Sequence, residues 1–241
     1  MAFSDPLHPR APAPPVAAFA GLAVAFMAVA GIAGRTLTGS LNGTVTAAMI
    51  FAAIAVIAGL GLARHYPHDR LGACNAVTLF RSALIAGVGA MLTAPAQGWT
   101  LAAIAALALA LDGVDGKLAR ASGLVSDFGA RFDMEVDSVF ALLLALIVWT
   151  SGTVGPWVMV LGVMRYLWVA AGWVLPWLNG PLPDHVIRRK TVCVIQIAAL
   201  VALVSPALTG TTAFLTAAVA SAALLWSFGA DLVWLWQRRT T

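Results

Sequence analysis

Apolar residues along this chain fall into eight long runs separated by short polar breaks. The runs cover about 16–34, 45–63, 75–95, 100–118, 131–150, 156–178, 191–208 and 211–236. Several reach the roughly 20 apolar residues that a helix needs to cross a bilayer. The breaks are compact: TLTGSLNGT after the first run, ARHYPHDRLGACN after the second, ASGLVSDFGA between the fourth and fifth, and NGPLPDHVIRRKTV before the seventh. The pattern predicts an all-α polytopic membrane protein with eight spans.

Composition agrees. Apolar residues make up 61% and charged residues 10%, against about 25% charged in soluble domains. The formal charge of +4 is not a nucleic-acid signal, because the Lys and Arg residues sit mostly in the short breaks, where they set orientation. With the N-terminus inside, segments 64–74, 117–132, 179–190 and 237–241 face the cytoplasm and hold most of the cations, while the opposite loops hold almost none apart from Arg35. Both termini are then cytoplasmic, and the expected location is a bacterial inner membrane. Residues 1–15 are Pro-rich, lack the basic region and short apolar core of a cleaved signal, and are expected to form a cytoplasmic tail. Cys74 and Cys193 have no metal-binding spacing and read as small apolar residues. Trp226, Trp234 and Trp236, with Arg238 and Arg239, read as an interfacial anchor.

Chemistry concentrates in residues 112–137. Six of the ten acidic residues lie there: Asp112, Asp115, Asp127, Asp133, Glu135 and Asp137. Asp112 and Asp115 close one apolar run at i, i+3; Asp133 and Asp137 open the next at i, i+4, and each pair therefore shares a helix face. If the two helices are antiparallel neighbours, four carboxylates converge. Such a group repels itself unless protonated or bridged by cations, and oxygen-only donors favour Mg²⁺ or Mn²⁺ with phosphate in the remaining positions. Gly113, Gly116 and Gly129 allow a ligand close to the backbone, and Arg120 is a fork-shaped phosphate donor. Asp127 lies in the linker and Glu135 points about 200° away from the carboxylate face; both read as peripheral.

The string D-x2-D-G-x2-A-R-x8-G-x3-D-x3-D, carried by Asp112, Asp115, Gly116, Ala119, Arg120, Gly129, Asp133 and Asp137, resembles the signature of the CDP-alcohol phosphotransferase family of membrane enzymes. The resemblance implies a six-helix catalytic core, here residues 71–241, with the two helices of 16–70 as an addition. It implies transfer of a phosphatidyl group from CDP-diacylglycerol to a small alcohol, with release of CMP. One or two Mg²⁺ or Mn²⁺ ions would sit on Asp112, Asp115, Asp133 and Asp137, with Asp137 also the proton acceptor. Asn75, Thr78, Gly116, Ala119, Arg120 and Gly129 would hold the nucleotide; Asn75, Thr78 and Arg81 share a face, and their N-x-x-T-x-x-R spacing is also similar to the family. Members are often homodimers, so a homodimer is admitted.

Arg165 lies inside an apolar run with no acid in its own helix, at a cost of at least ~2.5 kcal/mol, and needs an anion from elsewhere: a motif aspartate or a substrate phosphate. With Arg188 and Arg189 it suggests a phosphorylated acceptor, glycerol 3-phosphate before inositol phosphate; serine or choline would leave Arg165 unexplained. Lys190, Thr191 and Gln196 are loosely similar to the branches that use such acceptors. His65 and His68, at i, i+3, read as part of a solvated loop rather than a metal pair. Two rival classes fit less well. A prenyltransferase would separate its acidic motifs by about half the chain, and a divalent-cation transporter would place its acids near the midplane, often with internal repeats.

Overall fold

The computed structural model describes residues 15–122, 124–181 and 186–239, with 115–122 and 186 in backbone only. The described residues form eight α-helices and three short 3₁₀ turns, with no strand: α1 Val16–Thr38, α2 Leu41–His65, α3 Ala73–Gly89, α4 Trp99–Ser122, α5 Asp127–Thr150, α6 Met159–Val174, α7 Val186–Leu203 and α8 Gly210–Arg238. Five helical segments are long and apolar enough to cross a bilayer: α1, α2, α3 with its following turn, α6 with its preceding turn, and α8. Helices α5 and α7 also reach 18 residues or more, but each carries several charges in its first turns. The chain is an all-helical, polytopic membrane protein.

The polar break between the first two runs is much shorter than its composition suggests. Helix α1 continues to Thr38 and α2 starts at Leu41. Gly39 takes the left-handed conformation with φ 66° and ends α1, a backbone position that costs glycine least. The Ser40 hydroxyl then accepts from the Gly43 amide at 3.1 Å, capping α2. Ser126 does the same for α5, accepting from Gly129 N at 3.0 Å, and so starts that helix four residues before the apolar run. Helix α7 likewise spans 186–203 rather than 191–208, taking Arg188, Arg189 and Lys190 into its first turns.

Helix α3 is the centre of the bundle. In its apolar window 72% of residues are buried, against 17–33% for the other four candidate spans, because it packs against α1, α2, α4 and α5. Small residues permit the approach: a Cβ on Gly87 would stand 2.4 Å from the Ala33 Cβ. Helices α5, α6, α7 and α8 complete the wall, α5 against α6 and α7, and α8 against α6 and α7. Aromatic contacts bind α1 to α5, with Phe19 edge-on to Phe132 and Phe132 stacked on Phe128. The tryptophans near the end of α8 are ordered as an anchor, with the Arg238 and Arg239 guanidiniums over the Trp234 and Trp236 rings.

Candidate active site

Asp112 near the end of α4 and Asp133 and Asp137 near the start of α5 meet: one carboxylate oxygen from each lies within 4.8 Å of the others. The i, i+4 spacing puts Asp133 and Asp137 on one face of α5, and α4, which packs against α3 and α7, brings Asp112 to that face. The side chains of Asp115, Ala119 and Arg120, and Gly116, lie outside the described residues, so three of the four predicted carboxylates are seen to converge.

The group is partly neutralised from within the protein. Arg81 of α3, completely buried, directs Nη1 to Asp133 at 2.6 Å and to Asp112 at 3.2 Å, and Nη2 to Asp137 at 2.5 Å. Its Nε donates to the Ala108 carbonyl at 3.1 Å, fixing the fork in place. A planar guanidinium with five donors is suited to bridge several carboxylates, which a lysine could not do. Sequence spacing placed Arg81 on the face of Asn75 and Thr78 but named no partner, since the partners come from two other helices.

Asn75 and Thr78 are buried on the same face of α3. The Thr78 hydroxyl donates to the Cys74 carbonyl at 3.0 Å. The Asn75 Nδ2 is buried without a hydrogen-bond partner among the described residues, so it holds an unspent donor. Gly129 lets α5 come close here: a Cβ on it would lie 3.1 Å from Asn75 Oδ1. A Cβ on Gly113 would meet nothing within 4 Å, which leaves open space beside Asp112.

Two cavities adjoin the aspartates. The smaller, about 200 Å³, is bordered by Asp112, Gly113, Asp133, Asp137 and Lys190. The larger, about 350 Å³, is bordered by Asp137, Arg165, Arg189, Gln196 and Asp231. Asp137 is the carboxylate common to both.

Arg165 finds an anion in another helix, and it is not a motif aspartate. Arg165 pairs with Glu135 of α5, the acid that sequence spacing had set aside as peripheral. Glu135 does point away from the Asp133–Asp137 face, and that rotation is what turns it toward α6. Arg188 and Arg189 face Asp231 of α8, Arg188 in a direct ion pair and Arg189 at 3.7 Å. Asp231 is 5% exposed. An aspartate in DLVWLWQRR, among anchor residues, carried no sequence signal of its own. The Nε atoms of Arg165 and Arg188 are buried with no hydrogen-bond partner among the described residues. Each arginine therefore keeps a donor unused after meeting its carboxylate.

His65 Nδ1 lies 3.2 Å from the Gly61 carbonyl and His68 Nε2 lies 3.3 Å from the Val125 carbonyl. Cys74 is buried and Cys193 half-buried.

A model of the family described as CDP-alcohol phosphatidyltransferase matches residues 71–228, well over half of the chain. No curated protein and no solved structure matches.

Proposed function

From the premise that the chain belongs to the CDP-alcohol phosphatidyltransferase family, we propose that it transfers a phosphatidyl group from CDP-diacylglycerol to the hydroxyl of a small phosphorylated alcohol, glycerol 3-phosphate first, and releases CMP. The observation that carries this reading is the position of Asp137, shared by a carboxylate-lined cavity and an arginine-lined one. A donor diphosphate belongs in the first space and an anionic acceptor in the second, so the two reactants meet at Asp137.

The donor set fits a divalent ion. Three carboxylates offer oxygen atoms within 4.8 Å of one another, and hard oxygen donors suit Mg²⁺ or Mn²⁺. Asp112, Asp133 and Asp137, together with Asp115, would hold one or two such ions. A bound ion supplies charge neutralisation of the diphosphate and of the departing CMP.

The remaining work falls to the chain's own side chains. Arg81 fixes the aspartates against α3 and engages Asp137 through Oδ1, so the second carboxylate oxygen is the one assigned to the acceptor's hydroxyl proton. As that proton moves to Asp137, the hydroxyl oxygen bonds to the phosphatidyl phosphorus. The bond from this phosphorus to the bridging oxygen breaks, and CMP leaves with that oxygen. Asn75, Thr78, Gly116, Ala119, Arg120 and Gly129 would hold the cytidine diphosphate, the Asn75 amide through its unspent donor. Arg165 and Arg189, which border the second cavity, would receive the acceptor's phosphate with Arg188 beside them, while Lys190 faces the donor side. The two appended helices lie outside this scheme, and the site and both termini are assigned to the cytoplasmic side.

The test is CMP release from labelled CDP-diacylglycerol with glycerol 3-phosphate, inositol phosphate, serine and choline in parallel. Release should require a phosphorylated acceptor and a divalent ion, and Asp137→Asn should lower it by about 10²–10⁴-fold. Activity with uncharged alcohols alone removes the acceptor assignment. Near-normal release by Asp133→Asn in the presence of metal removes the whole scheme.

A further inference from the structure

A third cavity, about 610 Å³, lies on the other side of α5 from Asp133 and Asp137, between α5 and α2. Helix α2 lies before the matched stretch 71–228, and the aspartate chemistry makes no use of this space. Its floor is apolar, with Ile54 and Ile57 from α2 and Phe132 and Val139 from α5. His65, the last residue of α2, and Asp127 and Arg131 in the first turns of α5 stand at one end, and Glu135 and Tyr166 border the space farther along. The stripe on α5 from Asp127 to Val139 spans twelve residues, about 18 Å at 1.5 Å each. That is slightly more than half the ~30 Å thickness of a bilayer's hydrocarbon core. The groove thus has the depth of one leaflet, with Asp127 and Arg131 at the interfacial end and beneath them an apolar wall interrupted by Glu135, whose charge is met by Arg165.

The charges at that end are of both signs. Among the described residues neither Arg131 nor Asp127 has an ion-pair partner, although they stand one turn apart. We propose that this groove binds a bilayer phospholipid whose head group carries a phosphate and a primary ammonium, the phosphate on Arg131 and the ammonium on Asp127. An acyl chain would lie along Ile54, Ile57, Phe132 and Val139. The occupant is a resident lipid and not the donor substrate, because residues 131 and 135 point about 200° of helix rotation away from residues 133 and 137. Glu135 borders this groove while pairing with Arg165, which borders the cavity beside Asp137. The lipid site and the arginine cavity therefore share that ion pair as a wall.

Native mass spectrometry of the full-length protein in mild detergent, with phosphatidylethanolamine, phosphatidylcholine and phosphatidylglycerol at equal concentration, tests this. The ethanolamine lipid should be retained about tenfold over the other two, the worth of one charge-assisted hydrogen bond. Arg131→Ala should abolish retention of all three, and Asp127→Asn should keep retention but erase the preference over phosphatidylcholine. Arg131 is exposed, so its truncation leaves the fold intact; Arg35→Ala, exposed at the other end of the bundle, is the matching control and should change nothing. Equal retention of the three lipids, preference for phosphatidylglycerol, or unchanged retention in Arg131→Ala overturns the proposal.

Discussion

Replacing Arg81 by methionine removes a buried cation while keeping most of the side-chain volume. Three carboxylates then face one another without the guanidinium that bridges them, since Arg81 contacts Asp112, Asp133 and Asp137 at 2.5–3.2 Å. Breaking a buried ion pair by deleting one partner costs about 3–5 kcal/mol. The aspartate side chains are 18–37% exposed, so water screens part of the repulsion and the lower end, about 3 kcal/mol, applies. For a chain of this length about 2–4 °C is lost per kcal/mol, which gives a fall of about 6–12 °C. The measurement is thermal unfolding of the purified protein in detergent with EDTA. Added Mg²⁺ or Mn²⁺ should restore much of the loss in Arg81→Met and move the unaltered protein less, because a divalent ion takes over the neutralising role. Adding Asp133→Asn to Arg81→Met should also recover stability, since one of the three repelling charges is gone. If Arg81→Met melts within about 2 °C of the unaltered protein in EDTA, or gains nothing from divalent ions, Arg81 is not the internal counter-charge described above.

Three further outcomes follow from other contacts. Asp231→Asn removes the carboxylate that Arg188 and Arg189 face; steady-state kinetics should show KM for the phosphorylated acceptor rising about tenfold or more while kcat changes less, since a loss of ~1.4 kcal/mol in binding is tenfold. Glu135→Gln leaves Arg165 without the carboxylate that orients it, and inhibition by inorganic phosphate should weaken, because the guanidinium is no longer held toward the cavity. Gly87→Ala forces a Cβ to 2.4 Å from Ala33, whereas Gly21→Ala meets nothing within 4 Å; thermal unfolding should show a loss of about 1–3 kcal/mol for the first and no more than about 0.5 kcal/mol for the second.

What could be read along the chain was whatever depends on near neighbours. The eight apolar runs became eight helices because hydropathy and length are local properties. The motif spacing put Asp133 and Asp137 on one face and turned Glu135 off it, as helix geometry requires. Helix ends were harder to place. Gly39 and Ser40 compress the first polar break to a two-residue turn, and Ser126 starts α5 early, because a cap outweighs polarity over so short a stretch.

Charge partners were decided only in three dimensions. Arg81 meets aspartates 31 to 56 positions away, Arg165 meets Glu135 across the α5–α6 contact, and Arg188 reaches Asp231 43 positions on, across the α7–α8 contact. Each pairing depends on how two helices are rotated and how deeply they slide past one another, which for α5 and α6 is set by packing at positions such as Gly162 and Ala145. A single sequence states which side chains carry charge and on which face of their own helix they stand. Which opposite charge each one finds is a property of the assembled bundle, because in a poorly solvated interior an ion pair forms only where packing brings both partners within reach.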